Sequence, residues 1–88
     1  MKGLEQEDVR RERELLKREQ DSHRNRIEEL LRQLGMPVGE PRRSDYLNWL
    51  AQQRDWEGKP VPPGFLAEIS RLHARLQLVV KQLAALEE

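Results

Sequence analysis

His23 and His73 stand fifty residues apart, neither has a second His or Cys at ligand spacing, and the sequence holds no cysteine at all. Neither a tetrahedral zinc site nor a thiolate nucleophile can be built from that set. The three serines, Ser22, Ser44 and Ser70, lie in no strand-turn-helix elbow. No glycine-rich loop is present to cradle a phosphate. Carboxylates are abundant, yet nearly all alternate with arginines at helical spacing, the pattern of a solvated helix rather than of an acid and base set apart for proton transfer. These residues predict no enzyme, no metal and no cofactor.

The basic side chains suggest a different chemistry. Arg10, Arg11, Arg13, Lys17 and Arg18 crowd into nine residues, which could grip phosphates. Glu12, Glu14 and Glu19 are interleaved among them. Over the whole chain sixteen basic residues face sixteen acidic ones. Segments 1–34, 35–64 and 65–88 carry nine, four and three of each sign. A nucleic-acid binder normally shows a basic face, and by this count no segment does. Nucleic acid is therefore the lesser partner class, and a small nucleic-acid-binding regulator the second reading of function.

The elements that would position such groups are marked by glycine and proline. Gly35, Pro37, Gly39 and Pro41 bracket one gap; Gly58, Pro60, Pro62, Pro63 and Gly64 bracket another. The stretches between are rich in Leu, Glu, Arg, Gln and Ala with no threonine, a helix-favouring composition. The expectation is one all-α domain over 1–88: two longer helices, about 5–34 and 64–87, joined by a short aromatic helix of about 45–57, as a helical hairpin or three-helix arrangement. Ser44 is placed to cap the short helix and Gly58 to end it. Residues 1–14 lack an apolar stripe and should form a projecting, weakly packed extension. The longest uncharged apolar run is far below the roughly 20 residues a bilayer needs, and the N-terminus turns acidic at Glu5, so the chain reads as cytoplasmic with no membrane partner.

Phe65, Ile69, Leu72, Leu76, Val79, Leu83 and Leu86 form a heptad stripe on the last helix. Set antiparallel to the first helix, its Leu76 and Val79 face the polar His23 and Gln20. That mismatch predicts self-association through Leu76, Val79, Val80, Leu83 and Leu86, as a homodimer or higher oligomer. On the short helix, Tyr46, Trp49, Gln53 and Trp56 recur at steps of three, four and three. Tyr46, Trp49, Trp56 and Glu57 are accordingly a candidate partner-binding row, with a core role for the aromatics equally open.

Two stretches resemble known families. His23-Arg24-Asn25-Arg26-Ile27-Glu28-Glu29-Leu30 is similar to the basic helix-loop-helix domain, but no glutamate stands between His23 and Arg26, and the resemblance is set aside. Gln53 to Glu68 resembles the small helical antitoxins of Fic-type adenylyl transferases, whose motif ends in Glu-Gly as Glu57-Gly58 does. Gln53 stands where that family has a hydroxyl. The resemblance implies an inhibitor whose Glu57 pairs with an arginine of the toxin and blocks ATP. The leading expectation remains a non-enzymatic protein-protein interaction module, whether adaptor, inhibitor or assembly factor, with an antitoxin-like inhibitor of a partner enzyme third.

Overall fold

Long runs free of helix breakers become the two long helices, and the breakers become the turns. A computed structural model describes the backbone of residues 2–87 and the side chains of residues 7–87. It is all-helical among those residues: α1 spans Lys2–Leu34, α2 Tyr46–Ala51 and α3 Pro63–Glu87. α1 stops at Gly35, which takes φ +68°. There the Gly35 N–H donates to the Arg32 carbonyl and the Met36 N–H to the Leu31 carbonyl, closing the helix end with two nested hydrogen bonds. Pro63 opens α3, where a missing N–H costs nothing.

α1 and α3 run antiparallel. Arg26 meets Glu68 at 3.3 Å, while Lys17 and Gln20 share a groove with Leu83 and Glu87. The main core cluster lies toward the turn end of this hairpin, and Val79 and Leu83 are buried further along α3. Ile27, Leu30 and Leu31 from α1 are buried with Met36, Tyr46, Leu50, Val61, Ile69 and Leu76. On α1, residues 7–12 are all exposed. Thirty-three residues make a helix of about 50 Å, against a long axis of 59 Å and transverse extents of 20 and 17 Å. The radius of gyration, 15.9 Å, exceeds the roughly 12 Å of a compact chain of this length. Met1 and the side chains of residues 2–6 of the expected extension lie outside the described residues.

Three expectations need correction. α2 is six residues long rather than about thirteen. Its last carbonyls are taken by side chains, Gln53 Nε2 donating to the Trp49 carbonyl and Arg54 Nη1 to that of Ala51. Asp55 Oδ1 then accepts from the N–H groups of Glu57 and Lys59, both at 2.8 Å, and this side-chain turn replaces further helix. Ser44 is not the cap; Asp45 occupies that position without a side-chain hydrogen bond. Finally, Leu76, Val79 and Leu83 are buried within one chain, at 0%, 2% and 8% exposure. Antiparallel pairing alone left Leu76 and Val79 against polar α1 residues, but the return loop between α1 and α2, residues 35–45, also lies along α3. Gln77 Nε2 donates to the Arg42 carbonyl at 2.7 Å and His73 Nε2 to that of Arg43 at 2.9 Å, and Pro41 is buried. No second copy is needed to cover these side chains; Val80 and Leu86 remain half-buried.

Leu76→Ala should lower unfolding stability by about 2–5 kcal/mol in urea titration, the range for an emptied leucine site. Leu78→Ala, at a position 57% exposed, should shift it by no more than about 0.5 kcal/mol.

Candidate functional site

The proposed aromatic row is dispersed, because helical spacing past Ala51 has no helix to act on. Tyr46 is buried at 1% exposure. Its ring stacks on Trp49 at 5.6 Å and on His73 at 5.7 Å, ring centre to ring centre, and its hydroxyl donates to the Val38 carbonyl. Burial, then the charges of Glu28 and Glu40, push that hydroxyl far above its ordinary pKa. Trp49 is half-buried and lies so close over Gly39 that a Cβ there would stand 2.5 Å from its ring. Trp56 alone is open, 84% exposed at the Asp55 turn and resting against Gly35. Glu57 is exposed and its carboxylate pairs with Lys59 at 3.1 Å.

His73 lies on α3. It is buried at 5% exposure and joins α3 to the return loop. Its phase on α3, between Ile69 and Leu76, was the available signal. His23 is half-buried, with Nε2 3.3 Å from Glu19 one turn earlier. Among the described residues no group of three or more His, Cys, Asp or Glu could hold a metal ion, and no helix is long and apolar enough to cross a membrane.

A second surface was missed by counting charges along the chain. Folding sorts them. Glu68 turns to α1 and pairs with Arg26, and Glu87 lies at the far end of α3. No acid occurs from Ile69 to Leu86, a stretch that carries Arg71, Arg75 and Lys81. All three are exposed and make no ion pair or hydrogen bond among the described residues. Ala67, Ala74, Leu78, Gln82 and Ala85 complete this outward face, every one exposed. Alongside it the return loop brings Arg42 and Arg43, bonded to Glu40 and Asp45. The hydrogen bond from Arg42 holds the Glu40 carboxyl below its usual pKa. Elsewhere Arg24, Arg26, Arg32 and Lys59 are each paired with an acid. The signal was present in sequence, as an acid-free run on one helix, but hidden by totals over 65–88.

No family model matches the chain, and no solved structure matches it. It is 37% identical over 86 residues to a curated protein of Sinorhizobium fredii named "putative transposase y4rJ". The match takes in 94% of this chain and 22% of that relative, so the chain spans less than a quarter of the protein it resembles. This likeness overturns the expectation of a protein-protein interaction module acting as adaptor, inhibitor or assembly factor.

Two consequences follow for the aromatic junction. Tyr46 is held neutral, with a pKa raised above that of an unfolded tyrosine, so the stabilisation is complete below about pH 10 and is lost as pH rises past that value. Denaturation from pH 8 to 11 should show a steeper alkaline loss in the native protein than in Tyr46→Phe. Gly39→Ala, forced into the Trp49 ring and a left-handed backbone, should destabilise more than Gly58→Ala, where φ is +82° but nothing lies within 4 Å.

Proposed function

We propose that this chain is a helical segment of a transposase-related protein and that its contribution there is to contact DNA. The observation that supports it is the likeness to the Sinorhizobium relative, which extends across 94% of the chain and so takes in most of all three helices rather than one repeated helical pattern. An isolated amphipathic helix can resemble many others by composition. A match through two Gly- and Pro-bearing turns is more demanding, because those turns carry the left-handed glycines Gly35, Gly39 and Gly58.

Physical features of the chain agree with a binding rather than a bond-making contribution. The side chains brought together at the junction, Tyr46, Trp49 and His73, are engaged in stacking and backbone hydrogen bonds. Net charge is zero, so long-range attraction of the whole chain to DNA is weak, and binding must come from a locally basic surface.

Titration of the full chain into a fluorescently labelled mixed-sequence duplex, read by anisotropy, checks this reading. The expected outcome is saturable binding at low salt, with log K falling linearly against log salt concentration. Failure to bind any duplex at low salt, with the fold intact by circular dichroism, would defeat it.

A further inference from the structure

Resting on that reading, we infer that the outward face of α3 is the surface laid against duplex DNA, with Arg71, Arg75 and Lys81 on backbone phosphates. Three observations support this assignment over the other basic regions. First, the face is locally cationic although the chain is neutral, because Glu68 is drawn to Arg26 on the α1 side and the acid-free stretch runs from Ile69 to Leu86. The alternative surface, the exposed part of α1, alternates Arg10, Arg11 and Arg13 with Glu7, Asp8, Glu12 and Glu14. A phosphate approaching there meets a carboxylate within a helical turn.

Second, the three cations are available. Each is exposed and without an acidic partner among the described residues, whereas Arg42 and Arg43 on the neighbouring loop are bonded to Glu40 and Asp45. Forming a phosphate contact at Arg71, Arg75 or Lys81 breaks no existing ion pair. Third, spacing and shape suit a duplex. Arg71 and Arg75 are one helical turn apart, about 6 Å of rise, and Lys81 is about 9 Å further on. Phosphates of one DNA strand follow each other at about 3.4 Å of axis, so a span of this length can reach separate phosphates. Ala67, Ala74 and Ala85 are small and exposed on the same side, which lets the helix approach closely. Leu78, 57% exposed, offers an apolar contact between the cations.

The opposite side of α3 buries Ile69, Leu76, Val79 and Leu83, so the two sides act separately: one holds the fold, the other meets the ligand. Substitutions on the outward side therefore test binding with the fold intact. The experiment compares the native chain with a triple variant, Arg71→Ala, Arg75→Ala and Lys81→Ala. A second triple variant, Arg10→Ala, Arg11→Ala and Arg13→Ala, serves as the contrast, and Arg71→Lys with Arg75→Lys as the charge-preserving form. All are titrated into the same labelled duplex across a salt series, with circular dichroism and melting as checks on folding.

Removing the α3 cations should weaken binding at every salt concentration and reduce the slope of log K against log salt by about two to three, since each lost phosphate contact removes about 0.9. The α1 variant should keep most of the native slope, and the double lysine variant should stay near it. If the α3 triple variant is folded and binds with the native slope, or if the α1 variant loses as much, this face is not the DNA surface, while the broader reading stands on the native chain's binding. A native chain that binds no duplex overturns both.

Discussion

Burial of Tyr46 is the constraint on which the folded end of this molecule depends. Its ring must stack on both Trp49 and His73, and its hydroxyl must find an acceptor in a site shielded from water. The Val38 carbonyl supplies that acceptor only if the return loop doubles back past α2. Once it does, the Arg43 carbonyl comes within reach of His73 and the Arg42 carbonyl within reach of Gln77. The loop is thereby fastened along α3. Gly39 provides the clearance for Trp49, and Leu50 and Leu76 are then sealed together with Ile27. A loop that would otherwise be a simple connector becomes the third wall of a small core.

Much of this could be read from residue order. The two long helices and the position of each break follow from where glycine and proline occur, and Gly35 as the stop of α1 is a local matter of backbone geometry. Less legible was anything decided by competition at a distance. Helical periodicity through Trp56 is real in sequence, but Asp55 and Arg54 offer the backbone alternative hydrogen bonds, and these end α2 at Ala51. Similarly, the apolar stripe of α3 passes through the buried Ile69, Leu76, Val79 and Leu83, yet with their cover unknown the last three read as a self-association surface. A two-helix register cannot show that a proline-bearing loop will be fastened along α3 at His73 and Gln77.

The same distinction explains the outward face of α3. Charge summed along a chain treats Glu68 and Arg71 as cancelling neighbours. Residues three apart on a helix are close neighbours, but Glu68 is engaged with Arg26 of α1 while Arg71 faces water. Neutrality of the segment and polarity of its surface are separate quantities, and only the second governs what can approach it.

The outward face has one more consequence, for how the molecule can change over generations. Its side chains bear little of the free energy of folding, since exposed positions away from caps and turns generally tolerate replacement. Positions 71, 75, 78, 81 and 82 can thus be rewritten almost independently of the junction around Tyr46. A lineage can retune what this helix prefers to touch without first acquiring compensating core mutations, so its evolvability is concentrated on one side of α3.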